Sequence, residues 1–250
     1  MVSTVAVAGA TGAVGRHVVA NLRDRGLKVL PIARSLGVDL VTGAGLREAL
    51  TGADAIIDVC NVVTTGRRAS VDFFGKATAN LVDAAEALGI ERYVLLSIVG
   101  IDEVDYGYYE GKRIQEKLLR DSEVPHTILR ATQFHEFAAQ MLERMSWGPI
   151  ALVPMFKSAP VAAEEVADRL VELATFAPSA RNLHLELCGP EVLDLGEMTA
   201  RICRRTGRQV LRVPLPVPGK PGRSMRKGGL LPRGVCEVGS QTFDDWLRHR

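Results

Sequence analysis

The stretch that decides the fold lies near the start of the chain. Val2-Ser-Thr-Val-Ala-Val-Ala8 runs straight into Gly9-Ala-Thr-Gly12-Ala-Val-Gly15. The first part is a β-branched and alanine run. From Ala13 to Arg25 the apolar residues take a helical spacing that stops at Gly26, a residue suited to a C-terminal cap. Strand, glycine-rich turn and helix therefore follow one another without a gap. Each glycine has a separate task in such a corner: Gly9 permits the tight turn, Gly12 lets the backbone approach a phosphate, and Gly15 lets helix and strand pack closely. The freed amides and the positive end of the helix dipole then face an anion. The spacing is Gly-x-x-Gly-x-x-Gly instead of the commoner Gly-x-Gly-x-x-Gly, and the strand-to-helix context gives it weight that a lone triplet lacks. The expected ligand is a dinucleotide, held by Gly9, Thr11, Gly12, Ala13, Val14 and Gly15.

The alternation continues outward from this corner. Lys28–Ala33 is a second apolar run, with a brief third strand near Val38–Leu40, a short helix at Leu46–Leu50 and a fourth strand at Ala55–Val59. Ala69–Leu88 is a long amphipathic helix carrying Leu81, Val82, Ala84, Ala85 and Leu88 on one face, with Gly89 beyond its end. Tyr93–Leu96 is a strand ending at Ser97, Tyr108–Arg120 a helix and Thr127–Leu129 a strand. Strands separated by helices predict a parallel sheet covered on both faces. After Met145 prolines interrupt this rhythm at 149, 154 and 160; helices at Ala163–Phe176 and Asp194–Thr206 flank a strand at Leu183–Leu187. A proline-glycine stretch, Pro214–Gly234, precedes a closing helix at Phe243–Leu247. The fold class is α/β: a Rossmann-type, doubly wound parallel sheet in residues 1–145 and a small C-terminal α/β substrate lobe with its closing helix in 146–250. The two are expected to form one integrated domain, the lobe lying over the carboxyl edge where ligands of open α/β folds bind.

Composition agrees with this class. Of 250 residues, 47% are hydrophobic and 24% charged, the balance of an ordinary globular protein. No apolar run approaches the ~18 residues of a membrane-spanning helix, and Met1–Ala8 reads as strand without a basic leader. Cys60, Cys188, Cys203 and Cys236 are widely spaced, which suits reduced thiols in the cytoplasm better than disulfides or zinc. A net charge of +2 gives no reason to expect nucleic acid. The expected partner is a small-molecule substrate, with no metal, nucleic acid or membrane, in a monomer or homodimer. The charge is uneven, however: no acidic residue lies between Glu197 and Glu237, while ten Arg and Lys fall between Arg201 and Arg233. That segment reads as a solvated surface or as a lid or surface that meets an anionic partner.

The residue closing the second strand selects the nicotinamide coenzyme. A carboxylate there accepts from the ribose 2′-hydroxyl, whereas an arginine pairs with a 2′-phosphate. Arg34 and Ser35 follow Ala33 with no acid, and Arg34 lies 19 residues after Gly15. NADP(H) is therefore preferred, with NAD(H) the alternative. Asp39 stands close by, either as a turn-capping carboxylate or as an adenine contact beside Leu40.

These residues resemble the short-chain dehydrogenase/reductase superfamily in its atypical, NmrA-like branch. The matching stretches are Gly9–Gly15, Gly52-Ala-Asp-Ala-Ile-Ile-Asp58, Asn80-Leu-Val-Asp-Ala-Ala85, Arg92-Tyr-Val-Leu-Leu-Ser97, Thr127-Ile-Leu-Arg-Ala131 and Thr242-Phe-Asp-Asp-Trp246. The resemblance implies a Ser–Tyr–Lys constellation. The tyrosine transfers a proton to or from a carbonyl, the lysine lowers its pKa, and the serine polarises the substrate. Tyr108-Tyr-Glu-Gly-Lys112 supplies a tyrosine and a lysine four apart, whereas Tyr109 would find Arg113. Ser97, Tyr108 and Lys112 are thus the implied catalytic set, Lys112 and Ser97 also touching the coenzyme. By position, Cys60, Asn61 and Val62 should line the coenzyme path, and Ala131, Thr132 and Phe134 should approach the nicotinamide. His135 at a helix start reads as a surface or capping group more than a substrate contact; Glu164 and Glu165 meet a helix dipole, and Trp147 and Trp246 read as core. The implied function is an NADP(H)-dependent reductase or dehydrogenase of a small carbonyl or enone. The alternatives are an NADP(H) sensor acting through a protein partner and, more weakly, a nucleotide-sugar epimerase.

Overall fold

The structure, a computed structural model, describes residues 2–176 and 182–249. In chain order its first half comprises β1 (Thr4–Ala8), α1 (Ala13–Asp24), β2 (Lys28–Ile32), α2 (Leu46–Leu50), β3 (Ala55–Asp58), α3 (Arg67–Leu88), β4 (Tyr93–Ile98), α4 (Gly107–Asp121) and β5 (His126–Ala131). There follow α5 (His135–Arg144), β6 (Ser146–Trp147), β7 (Ile150–Pro154), β8 (Lys157–Ser158), α6 (Ala163–Thr175) and β9 (Leu183–Cys188). The last elements are β10 (Leu193–Asp194), α7 (Leu195–Thr206), β11 (Leu211–Leu215), α8 (Gly219–Arg226), β12 (Glu237–Val238) and α9 (Phe243–Arg248).

Seven strands form a parallel sheet in the order β12-β9-β5-β4-β3-β1-β2. All five residues of β1 are buried, as a central strand covered on both faces requires. Val5 stands opposite Val29 of β2 and Ala55 of β3. The chain leaves β1 for β2 on one side and returns to β3 on the other, so the strand order reverses beside β1. Crevices at such a switch point are where open α/β sheets bind ligands. Between sheet and helices lies a core that includes Ile32, Leu50, Ile56, Phe74, Leu81, Tyr93 and Leu119.

One expected strand is absent. Val38–Leu40 turns instead of extending, because Asp39 closes a tight loop: its carboxylate accepts the amides of Val41 (2.8 Å) and Thr42 (3.4 Å), and its carbonyl accepts the amide of Gly43 (2.8 Å). Val38 and Leu40 are still buried, and the Asn80 side chain caps the carbonyls of Leu40 and Val41. The sheet therefore ends at β2, whose Pro31 suits an edge.

By backbone proximity the chain divides into two compact units. The first comprises Met1–Ser97, Tyr106–Arg130 and Glu164–Leu185; the second Ile98–Asp105, Ala131–Ala163 and Glu186–Arg250. Within the second, β11, β7 and β6 make a three-stranded sheet in that order. Asp194 caps α7 through the Glu197 amide at 2.8 Å, and Thr242 and Asp245 form a capping box on α9. The stretch Pro214–Gly234 also holds α8, with Pro218 at its cap and Pro221 in its first turn, where a missing N–H costs little. Trp147, expected in the core, is 62% exposed at a hairpin tip. Trp246 is half-buried and stacks on Phe243 at 5.3 Å.

Candidate active site

The corner between β1 and α1 is built as its glycines require. Gly9 has φ +83, a region side chains avoid, and a Cβ there would lie 2.8 Å from the Val59 carbonyl oxygen and 2.9 Å from Cys60. A Cβ at Gly15 would lie 2.1 Å from the Gly9 carbonyl oxygen, so α1 packs backbone against backbone on the turn. Thr11, Gly12 and Ala13 are exposed, no side chain caps α1, and its first turn carries no acid. Among the described residues, no side chain therefore satisfies this end of α1, and its dipole favours an anion at the exposed Thr11–Ala13 turn. A diphosphate fits this cradle.

Arg34 and Ser35 open a short 3-10 turn (Arg34–Leu36) directly after β2, and both are exposed. The Arg34 guanidinium therefore lies on the surface at the end of β2, beside the strand that carries the glycine corner. Asp39 is engaged by its own turn, which accounts for its carboxylate.

Tyr108 and Lys112 lie one turn apart on α4 and share a neighbour: the Phe74 ring meets Tyr108 edge-on at 5.7 Å and underlies the Lys112 ammonium at 4.8 Å. The Tyr108 hydroxyl donates to Asn61 Oδ1 at 2.7 Å, so the segment after β3 and the start of α4 meet through these two side chains. Burial, and secondarily Cys60, pushes the Tyr108 phenol well above its ordinary value.

Lys112 is 4% exposed. Its ammonium donates to the Leu96 carbonyl at 2.8 Å and to Gln115 Oε1, leaving one of three N–H donors for another acceptor. Gln115 Nε2 in turn donates to Asp58 Oδ2 at 2.9 Å, and Asp58 also accepts from the Tyr93 hydroxyl (2.8 Å) and the Cys60 amide (2.9 Å). Burial lowers the Lys112 pKa, while Cys60, Asp58 and Glu116 act against that shift. The Cys60 thiol is driven well up by burial and then by Asp58, so it stays protonated.

Ser97 is 1% exposed and lies within β4. It makes no hydrogen bond of ordinary length, yet stands near enough to Glu116 to help lower that carboxyl's pKa. Burial alone would raise Glu116. The Arg130 fork (2.8 and 2.7 Å), Ser97 and Arg120 (3.0 Å) outweigh it.

The first unit thus assembles Gly9–Gly15, Arg34, Ser35, Cys60, Asn61, Val62, Ser97, Tyr108 and Lys112. Ala131, Thr132 and Phe134 belong to the second unit. There the Thr132 hydroxyl donates to the Ala159 carbonyl, and Phe134 precedes α5 as its backbone cap. His135 is fully buried against Phe243 (5.4 Å) and Trp246 (5.7 Å), not a surface group. Sequence reasoning missed Asp58, Gln115 and Phe74. A visible signal existed for one of them: Asp58 is an acid closing an otherwise apolar strand.

The Rossmann-type parallel sheet with its glycine corner, in a chain whose relatives are reductases, defines an NAD(P)-binding oxidoreductase. The model of the NAD(P)H-binding family matches residues 9–176, and the chain belongs to that family. It is 30% identical to the (4-alkanoyl-5-oxo-2,5-dihydrofuran-3-yl)methyl phosphate reductase of Streptomyces griseus, over 82% of this chain and 74% of that protein. It is 28% identical to the divinyl chlorophyllide a 8-vinyl-reductase of Oryza sativa, over 86% of this chain and 62% of that protein. A 31% identical match to photosystem II assembly factor Ycf39 of Cyanophora paradoxa covers 53% of this chain and 46% of the factor. Among solved structures, the NADPH complex of the quinone oxidoreductase QOR2 of Escherichia coli matches with a TM-score of 0.70 at 19% identity, covering 98% of this chain and 99% of that one. An NAD-bound short-chain dehydrogenase/reductase superfamily protein of Agrobacterium tumefaciens gives 0.72 at 19% identity, over 98% and 95%. Among the described residues no helix is long and apolar enough to cross a membrane.

Proposed function

We propose that the chain is a cytoplasmic, NADP(H)-dependent reductase of a small conjugated carbonyl compound. The observation that carries this reading is the juxtaposition, within the first unit, of an uncapped glycine cradle with the Tyr108 hydroxyl on the Asn61 carboxamide. Gly9, Gly12 and Gly15 would hold the diphosphate and Arg34 the 2′-phosphate, and the coenzyme would supply hydride. Tyr108, kept neutral by its surroundings, then serves as proton donor to the oxygen or carbon that becomes basic as hydride arrives. Asn61 orients the hydroxyl. Lys112, one turn along α4 and held by the Leu96 carbonyl and Gln115, has an uncommitted N–H that suits a ribose hydroxyl. Relatives named for a dihydrofuranone, a vinyl group and a quinone favour an acceptor with a carbon–carbon double bond conjugated to a carbonyl. Four free thiols suit a cytoplasmic setting.

The test is NADPH consumption with a panel of quinones, enones and butenolides. Tyr108→Phe should lower kcat by about 10²- to 10⁴-fold while coenzyme affinity holds. Unchanged turnover in that variant removes the tyrosine from the chemistry. Tight NADPH association without consumption of any acceptor would instead make the chain a sensor.

A further inference from the structure

In the second unit, β6 and β7 form a hairpin through a two-residue turn, Gly148-Pro149, with Gly148 at φ +55. Residues 147–150 are all exposed. The register sets Leu211 of β11 beside Ile150, and Ile150 beside Trp147. Paired residues project to the same face, so these three side chains form one row. They are 66%, 42% and 62% exposed respectively. Val213 and Leu215, two and four residues along β11, continue the same face and are each 37% exposed. The opposite face is the packed one, with Ala151 at 0% and Val153 at 5%. A sheet covered on one side normally turns polar side chains outward; here the outward positions are Trp, Ile, Leu, Val and Leu. A contiguous apolar patch of this kind marks an interaction surface.

Its border is cationic. Arg204, Arg208 and Arg212 share with Pro149 and Leu211 an open cleft of about 580 Å³. Arg204, Arg205 and Arg208 form no ion pair among the described residues, in contrast to Arg201, which is held by Glu191, Glu197 and Asp244. The segment between Glu197 and Glu237 contains no acid to neutralise them.

Two features narrow the occupant. The Leu211 amide and the Leu215 carbonyl bond toward β7 (2.7 and 3.1 Å), so the free edge of β11 presents the backbone of Arg212 and Pro214. Pro214 has no N–H, and an added strand would meet a broken ladder. A second copy placed symmetrically on this face would bring two sets of the same arginines into one interface, an electrostatic penalty. An anionic lipid surface needs neither strand pairing nor self-complementarity. It accepts tryptophan at the headgroup level, aliphatic side chains just below, and arginines on the phosphates.

We propose that the β6–β7 hairpin and β11 dock the protein peripherally on an anionic phospholipid bilayer. Trp147, Ile150 and Leu211 enter the headgroup–acyl boundary, and Arg204 and Arg208 pair with lipid phosphates. The test is flotation of the full chain with vesicles of phosphatidylcholine alone and of equal parts phosphatidylcholine and phosphatidylglycerol. Binding is expected to the anionic vesicles, to weaken as salt rises, and to carry a blue shift of tryptophan emission that Trp147→Phe removes. The pair Arg204→Gln and Arg208→Gln should lower partitioning about 25-fold, roughly fivefold per charge. Leu211→Asp should abolish it while NADPH affinity is retained, which shows the fold intact. Absence of flotation at low salt, equal binding to neutral vesicles, or binding that none of these variants changes would each overturn the proposal. So would a dimer in solution that Leu211→Asp splits, or tight binding of heparin with no shift of Trp147 on anionic vesicles.

Discussion

Replacing Gly12 by alanine separates the binding role of the cradle from its structural role. Gly12 has φ −74 and ψ 178, a conformation open to any L residue, and the new Cβ would meet only the Gly9 carbonyl oxygen, at 3.2 Å. A relaxation of a few tenths of an ångström accommodates it, so the fold should lose under about 1 kcal/mol, the scale of a helix-cap exchange. Binding is another matter. A phosphate oxygen on the exposed amides sits about 2.9 Å from nitrogen, and a methyl group there needs roughly 3.5–4 Å from its neighbours. The diphosphate must retreat, weakening two hydrogen bonds to a charged group that are worth about 1.5–3 kcal/mol each when intact. Losing half of each costs about 1.5–3 kcal/mol, or roughly 10- to 150-fold in Kd for NADPH. Coenzyme fluorescence gives the Kd and a thermal melt gives the Tm. A Kd within about twofold of the parent with an unchanged melt would refute the cradle. Gly15→Ala is the contrasting control. Its Cβ falls 2.1 Å from the Gly9 oxygen and 2.9 Å from the Ala10 backbone, so binding and stability should fail together.

Arg34→Ala should lower the preference for NADPH over NADH by about 10- to 100-fold, the loss of one charge-assisted contact, whereas Asp39→Asn should leave the preference unaltered; paired Kd titrations check both. Because Tyr108 is held neutral well above its ordinary value, reduction should run at an even rate from about pH 6 to 9, while the reverse oxidation should climb steeply with pH; a pH optimum for reduction near neutrality would contradict this. Arg130→Met leaves the buried Glu116 carboxylate with only Arg120 and Ser97 and should cost about 3–5 kcal/mol by chemical denaturation. Glu116 has a lowered folded pKa, so its contribution is present above the unfolded value near 4.3 and is lost as pH falls through the folded value. The parent should therefore weaken below about pH 4.3 more steeply than Glu116→Gln.

Much of the fold was legible because local signals agreed with one another. The first strand, glycine turn and helix appear where the β-branched run, the glycine spacing and the apolar period place them, with α1 spanning Ala13–Asp24. The third strand misled for a physical reason. Val38 and Leu40 alternate around Asp39 as a strand would, yet glycines at 37, 43 and 45, all at positive φ, favour a turn that buries the same two side chains. Pro31 was a readable warning, since proline fits a sheet edge and argues against a further strand beside it. Trp147 shows the opposite limit: tryptophan composition predicts core, and only the hairpin register reveals that this one faces solvent. The Tyr108–Lys112 spacing was legible as a helix face. The hub of Asp58, Gln115 and Tyr93 was not, because its members are 57 and 35 residues from Asp58 in sequence and only the sheet brings them together.

That hub bears on how tyrosine and lysine divide the work. A lysine that lowers a tyrosine pKa toward neutrality must keep its charge and face the phenol. Lys112 keeps company with Leu96 O, Gln115 and the Phe74 ring, and burial pulls its pKa down while Asp58 and Glu116 support the charge. Tyr108 instead spends its hydroxyl on Asn61, and its phenol is shifted up, not down. In this arrangement the phenol is protonated throughout the neutral range and, with its pKa raised, is a weaker acid than a free tyrosine. Under the proposed function, such a phenol gives up its proton only to a strongly basic centre, the enolate or alkoxide that hydride transfer creates.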